Sequence, residues 1–325
     1  SNILITDSQE GNNGNKYKHI QRSNIDGFLA FFRLPKLEIY FLKYLGDSSL
    51  YINGIPLRKG RLMVLAPGST IRGSNLKSIY YSDVASAYRE EKSDNKISFI
   101  AENITFKFPN GKLGLRGVNI AEDKGKLIGL MGGSGAGKST LLNVLNGNEV
   151  PSGGSVRING IDINKEKVKV EGVIGYVPQD DLMIDELTVF ENLYYAAKLC
   201  FSESNENELK ELVKKTLSSL GLTETSDLKV GSPLEKTISG GQRKRLNIGL
   251  ELLREPSVLF VDEPTSGLSS RDSENIMDLL KELSLKGKMV FVVIHQPSSD
   301  IFKMFDKLVI LDVGGYQIYY GNPVE

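Results

Sequence analysis

The sequence predicts an α/β fold with a mostly parallel sheet, preceded by a small β-rich region. From Ile97 onward, apolar strands alternate with amphipathic helical segments, an order that favours a parallel sheet covered by helices. One of these strands runs directly into a glycine loop and then a helix, over residues 127–145. Upstream, at about 37–83, short runs of Ile, Val, Leu and Tyr are separated by turn pairs such as Asn53-Gly54, which is typical of β-structure.

The composition is that of an ordinary globular protein. Of the 325 residues, 40% are apolar and 25% are charged, which is enough to bury a core. The 40 basic residues balance the 40 acidic ones, which argues against nucleic acid as a partner. The one cysteine, Cys200, allows no intramolecular disulfide and disfavours a zinc site. No apolar run reaches the roughly 18 residues that span a bilayer, so this chain alone is expected to be soluble.

Four segments are predicted along the chain. Residues 1–34 form an N-terminal segment that is partly disordered around the polar stretch 11–15, with a short helix at Phe28–Leu34. Residues 35–84 form the small β-rich module. A charged stretch at 85–97 is a linker, and residues 98–325 form the α/β domain.

Within the α/β domain, the pattern predicts each element in order. A capping box at Thr188 and Glu191 begins one helix, and Gly221 ends another. Strands are predicted at 98–108, 115–121, 127–131, 172–177, 258–261, 290–294 and 308–311, the first two antiparallel. Helices are predicted at 141–145, 189–200, 206–220 and 243–253.

The strongest local signal is a glycine loop between a strand and a helix. It fits the pattern G-x-x-x-x-G-K-S/T, the P-loop. Its backbone N–H groups and the following helix N-terminus form a nest for phosphate oxygens. Lys138 would add positive charge at the outer phosphates, and the Ser139 hydroxyl would bind Mg²⁺. The loop consists of Gly132, Gly133, Ser134, Gly135, Ala136, Gly137, Lys138, Ser139 and Thr140.

A second acidic element accompanies the P-loop. The apolar strand at 258–261 ends in Asp262 and Glu263, a Walker B pattern. Asp262 is expected to hold Mg²⁺ through water. Glu263 follows by one residue, so strand alternation would point it to the other side, where it could polarise an attacking water.

A third motif provides another anion-binding helix start. Ser239 and Gln242 form a capping box that opens the helix at 243–253. Between them, Gly240 and Gly241 expose backbone N–H groups at the helix N-terminus. One chain therefore carries two phosphate sites that lie about 100 residues apart in sequence.

These motifs together resemble those of ATP-binding cassette (ABC) proteins. The segment 238–242 resembles the signature motif, and 175–179 resembles the Q-loop that ends in Gln179. Residues 264–269 resemble the turn into the D-loop. His295 resembles the switch histidine, and Phe108 stands where the family places an aromatic residue that stacks on adenine. The resemblance covers about 98–325, with six motifs in the family's order.

The resemblance implies a P-loop NTPase core of the ABC ATPase type, with an antiparallel β subdomain and a helical signature subdomain. It also implies a head-to-tail dimer of cassettes, homomeric or heteromeric, with two ATP molecules at the interface. Ser239, Gly240 and Gly241 would contact the γ-phosphate from across that interface, and Gln242 is counted with them among the nucleotide-binding residues. Gln179 would touch Mg²⁺ or the water and report to a partner domain. The catalytic residues that the resemblance implies are Glu263, His295, Lys138 and Gln179. The residues that it implies for Mg²⁺ binding are Ser139, Gln179 and Asp262.

Finer features resemble the white-type, or G, subfamily, in which the cassette precedes a membrane domain in one polypeptide. Among them are Gln179-Asp180-Asp181 and the run 295–299. The expected setting is then the cytoplasmic face of a membrane, with the transmembrane part in the same native chain or in a separate subunit. One departure stands at Ser269, where the D-loop usually carries an acidic residue. The departure bears on the usual cross-interface contacts of the D-loop and not on ATP binding.

Other interpretations remain open. A soluble ABC ATPase acting on ribosomes or nucleic acid is one alternative, and a regulatory ATPase is another. The run Arg243-Lys244-Arg245 is expected to be a solvated helix face. In the β-rich module, 51–54 and 66–71 resemble the closing strands of a forkhead-associated sandwich. Without that family's phosphopeptide-reading pattern, a structural or regulatory role is the expectation for the module.

Overall fold

The chain divides into two units, residues 1–93 and 94–325. The polar stretch 11–15 lies outside the residues that the computed structural model describes. No helix in the described part combines the length and apolar content needed to cross a bilayer. The described residues are 3–7, 18–21, 25–34, 39–66, 69–73, 76–88, 97–123, 125–201, 204–232 and 237–323.

The first unit consists of two β-sheets that share one apolar core. Its strands are β1 Ile3–Asp7, β2 Lys18–Gln21, β3 Phe28–Leu34, β4 Ile39–Leu45, β5 Leu50–Ile52, β6 Ile55–Pro56, β7 Leu62–Leu65, β8 Thr70–Gly73 and β9 Leu76–Tyr80. One sheet has the order β2-β1-β3-β4-β7 and the other β6-β5-β8-β9. Phe31 and Leu42 of the first sheet and Ile71 and Ile79 of the second belong to the same core cluster. Two sheets around one core form a β-sandwich. The likeness to a forkhead-associated sandwich stays a prediction.

Strand β3 corrects the short helix expected at Phe28–Leu34. Leu29 and Phe31 are buried whereas Phe32 is exposed, the alternation of a strand with one face in a core. The strand pairs antiparallel with β1 on one side and β4 on the other. The helical prediction was wrong because a short apolar run has no periodicity that separates helix from strand. Here, pairing with the flanking strands β1 and β4 makes the segment a strand.

Helix α1, Tyr81–Tyr88, corrects the first part of the expected linker at 85–97. Val84 is fully buried, Tyr88 is nearly so, and the Tyr88 hydroxyl donates a hydrogen bond to the carbonyl of Phe31. The segment up to Tyr88 therefore packs into the first unit. That unit also begins before residue 35, because β1 and β3 belong to its sheet. Polar neighbours around residues 85–96 made this stretch look like a linker.

The second unit combines one large sheet with helices. Its strands are β10 Phe99–Lys107, β11 Leu113–Glu122, β12 Leu127–Gly132, β13 Gly153–Ile158, β14 Ile161–Asp162, β15 Ile174–Val177, β16 Val258–Asp262, β17 Met289–Val293, β18 Lys307–Asp312 and β19 Tyr316–Gly321. Its helices are α2 Lys138–Leu145, α3 Val189–Cys200, α4 Glu206–Ser219, α5 Gly240–Leu252, α6 Ser270–Leu285 and α7 Ser299–Phe302. The strands and helices predicted for this unit are all present, with ends that differ by a few residues.

The sheet of the second unit has a parallel part and an antiparallel part. Its order is β14-β13-β10-β11-β19-β18-β12-β17-β16-β15. Strands β18, β12, β17, β16 and β15 pair in parallel, whereas β10 pairs antiparallel with β11 and β13. The predicted α/β core with an antiparallel β subdomain is confirmed. Parallel strands end at the same edge of a sheet, so the segments after β12, β16 and β17 meet there.

Helices α3, α4 and α5 form a helical region with a core of its own. Leu193, Leu209, Val213 and Leu246 lie in this cluster. The capping box predicted at Thr188 is confirmed: its side chain accepts from the Glu191 N–H, and the Glu191 carboxylate accepts from the Thr188 N–H. Local capping thus fixes where the helix starts, and apolar packing fixes where it lies.

Candidate functional site

The P-loop connects β12 to α2 at the edge where the parallel strands end. Strand β12 is buried between β17 and β18, which fixes the entry into the loop. The Lys138 ammonium donates hydrogen bonds to the carbonyls of Gly132 (3.0 Å) and Gly133 (2.9 Å). Burial lowers the pKa of the Lys138 ammonium, and the charges of Glu263 and Asp262 oppose that shift. A lysine held by neutral carbonyls keeps its charge available for an anion in the loop.

Asp262 is the last residue of β16, a strand that is buried at every position. Its Oδ1 is buried and has no hydrogen-bond partner within the described part of the chain. Burial raises the pKa of the Asp262 carboxyl, and the neighbouring charge of Glu263 raises it further. A buried carboxylate oxygen without a partner is costly. It therefore fits a Mg²⁺ ligand sphere, directly or through water.

Glu263 and His295 approach each other across the same edge. The Nε2 atom of His295 lies 2.8 Å from Oε1 of Glu263. Glu263 has left the strand and adopts a φ of 42°, and its N–H donates to the carbonyl of Val293 at 3.2 Å. The direction of this side chain thus comes from a left-handed turn and not from the strand alternation that the sequence suggested. A non-glycine residue in this conformation costs energy and is common at functional sites.

A cleft of about 520 Å³ joins the P-loop to these residues. Phe108 lies at its rim and packs edge-on against Phe106, with ring centroids 5.2 Å apart. Gly114 makes room for the ring, because a Cβ there would lie 2.7 Å from Cε2 of Phe108. The cleft is lined by Phe108, Lys112, Leu113, Gly114, Ser134, Gly135, Gly137, Lys138, Ser139, Thr140, Glu263, His295, Val313 and Gly314.

Several lining residues were not found from the sequence. Lys112 and Leu113 belong to the β10–β11 connection and the start of β11, and Val313 and Gly314 follow β18. Pairing of β11 with β19 brings these two distant segments together. The sequence indicates Lys112 only weakly as a lining residue, because Lys112 follows Phe108 across a tight turn. Nothing local marks Val313 or Gly314.

The signature residues stand apart from this cleft. Ser239 caps α5: its hydroxyl accepts from the Gln242 N–H, and the Gln242 side chain accepts from the Ser239 N–H. A Cβ on Gly241 would lie 2.6 Å from the Asp272 carboxylate, so a side chain there would push the Asp272 side chain aside. None of residues 239–242 is among the residues that line the cleft. Within one chain, the two predicted phosphate sites are therefore separate.

Ser269, the departure from the usual D-loop, has a clear local role. It is the N-cap of α6: its hydroxyl accepts from the Asp272 N–H (3.1 Å) and donates to the Asp272 carboxylate (2.8 Å). Serine and aspartate cap helices about equally well. The helix start is thus kept without the acidic residue.

The run 243–245 corrects a prediction. Arg243 and Lys244 are buried and Arg245 is half-buried, so they are not a solvated face. Lys244 donates to the carbonyl of Gln179 at 2.6 Å. The Gln179 residue itself is exposed and lies outside the cleft lining. The expectation failed because Arg243 and Lys244 meet carboxylates and carbonyls from segments distant in sequence.

The chain is similar to proteins of one family. A family model described as ABC transporter matches residues 115–266. The ABC transporter G family member 13 of Arabidopsis thaliana is 39% identical over 230 residues, which cover 68% of this chain and 33% of that protein. The probable ATP-dependent permease of Saccharomyces cerevisiae is 35% identical over 289 residues, covering 86% of this chain and 26% of that protein. The chain thus spans a third or less of these two curated relatives.

Solved structures share the fold of the second unit. An ATP-binding cassette of an ABC transporter, solved in its ADP conformation, matches with a TM-score of 0.59 and 30% identity. That match covers 70% of this chain and 91% of the other. The cbiO1 protein of Clostridium perfringens, part of the cbiONQ ABC transporter complex, matches with a TM-score of 0.62 and 27% identity. It covers 70% of this chain and 90% of the other.

Proposed function

The chain belongs to the ATP-binding cassette (ABC) transporter family and carries its ATP-hydrolysing domain, and we propose that it powers a membrane transporter through an ATP-driven head-to-tail dimer of cassettes. The cassette names of the solved structures and the G family names of the curated relatives support this reading. Since the chain spans a third or less of those relatives, the transport activity is an inference about the whole protein.

One observation is the main support for the proposed dimer. The P-loop, Glu263 and His295 share a cleft in one chain, whereas the signature residues 239–242 are absent from its lining. The signature nevertheless has backbone N–H groups at a capped helix start, an arrangement that supports an anion site there. A second cassette facing the first would bring its signature to the γ-phosphate. Two composite sites then account for two separate phosphate motifs in one chain.

In the proposed site the chain's own residues hold the triphosphate and its metal. Lys138 exchanges its two loop carbonyls for phosphate oxygens, which are stronger acceptors. Ser139, Asp262 and Gln179 would hold Mg²⁺. When bound, Mg²⁺ neutralises charge on the β- and γ-phosphates. Phe108 would cover the adenine ring from the rim of the cleft.

Glu263 is proposed as the base that accepts a proton from the attacking water. Its carboxylate is exposed enough to meet a water molecule and is held by His295 at 2.8 Å. His295 would orient Glu263 and contact the γ-phosphate. Gln179 would sense the nucleotide and report it to the transmembrane part. Next to it, Leu182 and Ile184 are exposed apolar side chains that support a protein contact there.

The setting that follows is the cytoplasmic face of a membrane. The partner cassette is either a second copy of this chain or a related one, and the transmembrane domain is either part of the same native chain or a separate subunit. A role on ribosomes or nucleic acid is not favoured, because basic and acidic residues balance and the relatives reported above are named as transporters or a permease. For residues 1–93, a structural or regulatory role remains the proposal.

The test is a Glu263→Gln variant of the whole protein. We expect its hydrolysis rate to fall at least about a hundredfold, since general-base catalysis contributes about 10²–10⁴-fold, while an ATP-bound dimer accumulates. Light scattering and phosphate release measure the two effects. Glu102→Gln, at an exposed position on β10, is the matched control and should behave as the parent. A Glu263→Gln protein that stays monomeric at saturating ATP and turns over normally would overturn the mechanism.

A further inference from the structure

The outer face of one sheet in the first unit is apolar. An antiparallel sheet that packs one face on a core normally has a polar, solvated second face. On β3, β4 and β7, however, every residue that points away from the core is apolar except Lys43. The other sheet of this unit differs, since Tyr51 and Arg72 form an exposed cross-strand pair on its outside. The first sheet therefore has a surface that suits a partner more than water.

The centre of this surface consists of cross-strand rows. Phe32 of β3 lies opposite Phe41 of β4, which in turn lies opposite Val64 of β7, and Lys43 lies opposite Leu62 in the next row. Cross-strand partners have Cβ atoms about 5 Å apart, so these side chains form one continuous patch. The exposed fractions are 40% for Phe32, 59% for Leu62 and 56% for Val64. We call Phe32, Phe41, Leu62 and Val64 the apolar face, and a patch of this kind marks an interaction site.

A turn rich in cations adjoins the apolar face. Arg58, Lys59 and Arg61 lie between β6 and β7 and are all exposed. The N–H of Arg61 donates to the carbonyl of Arg58 at 3.1 Å, which closes the turn directly before β7. Lys59 pairs with Asp47 at 2.7 Å. Within the described part of the chain, no carboxylate lies at ion-pair distance from Arg58 or Arg61. The charges of these two arginines are therefore available to an anion.

The charge of the first unit favours one kind of partner. Residues 1–93 hold 13 basic and 8 acidic residues, although the whole chain has 40 of each. A second copy of the apolar face would set Lys43 and the cations of the turn against their own equivalents, and facing like charges oppose binding. An anionic bilayer instead offers phosphate groups to the arginines and an apolar interior to Phe32, Leu62 and Val64.

We propose that the first unit binds anionic membrane surfaces, with Phe32, Leu62 and Val64 inserted among the lipid chains and Arg58 and Arg61 on the headgroups. An apolar insertion and a basic patch reinforce each other at a bilayer. The anionic leaflet is the cytoplasmic one, which is also the side of the membrane given by the proposed function. The inference goes beyond that function, because lipid binding requires neither ATP nor a second cassette.

The experiment mixes the 325-residue chain with vesicles of two parts phosphatidylcholine to one part phosphatidylserine, without nucleotide. Flotation measures binding, and we expect vesicles of phosphatidylcholine alone to bind at least about tenfold more weakly, because each arginine near an anionic surface adds attraction. The chain has no tryptophan, so Phe32→Trp places a single reporter on the apolar face. Its emission should shift to the blue with the mixed vesicles and be quenched by brominated lipid chains. Val168→Trp, at an exposed position of the second unit, should show neither effect.

Two double variants test the two parts of the surface separately. Leu62→Ser with Val64→Ser removes apolar burial, and Arg58→Gln with Arg61→Gln removes attraction to the headgroups. We expect each to bind the mixed vesicles at least about tenfold more weakly. Melting temperatures should match the parent, because all four side chains are exposed. If the serine variant does not fold, the glutamine variant decides, since it leaves the apolar face unchanged.

The matched control is Ile318→Ser with Lys214→Gln, which changes one exposed apolar and one exposed basic side chain of the second unit. It should bind the mixed vesicles as the parent does. The proposal is overturned if the parent does not bind these vesicles, if it binds neutral vesicles equally well, or if the double variants of the first unit bind like the parent.

A blue-shifted emission of Phe32→Trp in buffer alone would also overturn the proposal, because the apolar face would then already be covered. Sedimentation would identify the cover: a dimer that Leu62→Ser with Val64→Ser dissociates means a second copy, and a monomer means another part of this chain. These variants leave the nucleotide cleft unchanged, so ATP-driven dimerisation should persist in them. Failure of vesicle binding therefore refutes only this inference, whereas a parent that binds ATP and never dimerises refutes the proposed function.

Discussion

The Nε2 atom of His295 lies 2.8 Å from Oε1 of Glu263, although the two residues follow different strands. Strands β16 and β17 are parallel neighbours, with Asp262 opposite Val293, so the segments after them emerge side by side. Glu263 then turns through a φ of 42°, and Gln296, next to His295, has a φ of 41°. Two left-handed residues at adjacent strand ends indicate a backbone shaped for this contact.

His295→Ala should therefore impair catalysis more than nucleotide binding. Without the imidazole, the Glu263 carboxylate loses the partner that orients it, and we expect the hydrolysis rate constant to fall about 10–100-fold with KM little changed. Steady-state phosphate release measures both constants. In a Glu263→Gln background the same change should have little further effect, because residues that act as a unit are not additive. If the effects of the two changes were fully additive in this double-mutant cycle, His295 and Glu263 would act independently in catalysis.

Asp262→Asn should stabilise the nucleotide-free protein and abolish its response to metal. Burial raises the pKa of the Asp262 carboxyl, so the charged form is costly in the fold and a neutral amide relieves that cost. Each kcal/mol of relief raises Tm by roughly 2–4 °C in a domain of this size. Differential scanning calorimetry with and without Mg²⁺ and ATP is the measurement. An apo Tm below that of the parent, or an unchanged Mg²⁺ response, would contradict the role of Asp262.

Gly114→Ala should weaken ATP binding through the Phe108 ring. The added Cβ would lie 2.7 Å from Cε2 of Phe108, so the ring must rotate away from its place at the rim. Stacking on a base contributes about 1–3 kcal/mol, and we expect ATP affinity to fall about 5–10-fold, with a similar loss in Phe108→Leu. Equilibrium binding of a fluorescent ATP analogue gives the affinities.

Gly153→Ala is the matched control for that change. Its Cβ would meet only Cβ of Thr105, at an ordinary distance of 3.7 Å, and β13 lies away from the cleft lining. Its ATP affinity should equal that of the parent. If Phe108→Leu bound ATP as tightly as the parent, the ring would have no part in nucleotide binding.

The sequence predicted those features that neighbouring residues determine. The geometry of three motifs is determined within a few residues: a P-loop between strand and helix, carboxylates at a strand end, and a capping box. Lys138, Asp262 and Ser239 were therefore found at the expected elements. Features set by distant contacts were missed. Strand β3 looked helical until its pairing with β1 and β4 was known. The buried positions of Arg243 and Lys244 depend on Asp181, about 60 residues earlier.

Ser239→Asp should keep the fold and abolish ATP-driven dimerisation. An aspartate caps a helix as well as serine does, so the bond to the Gln242 N–H and the melting temperature should be retained. Its negative charge would face the γ-phosphate of the other cassette, and we expect the dimer to weaken more than tenfold while monomer ATP affinity stays unchanged. Analytical ultracentrifugation at saturating ATP measures this.

Two further variants separate capping from contact with the other cassette. Ser239→Ala loses the cap, which costs about 1 kcal/mol, so its melting temperature should be lower. Because it adds no charge, it should still dimerise. Thr188→Asp places the same carboxylate on another capping box, at the start of α3, and should dimerise normally because Thr188 is not a signature residue. If Ser239→Asp instead dimerised as the parent does, the signature would lie outside the interface. The proposal of two composite sites would then be rejected, because it was the separation of Ser239 from the cleft that required a second cassette.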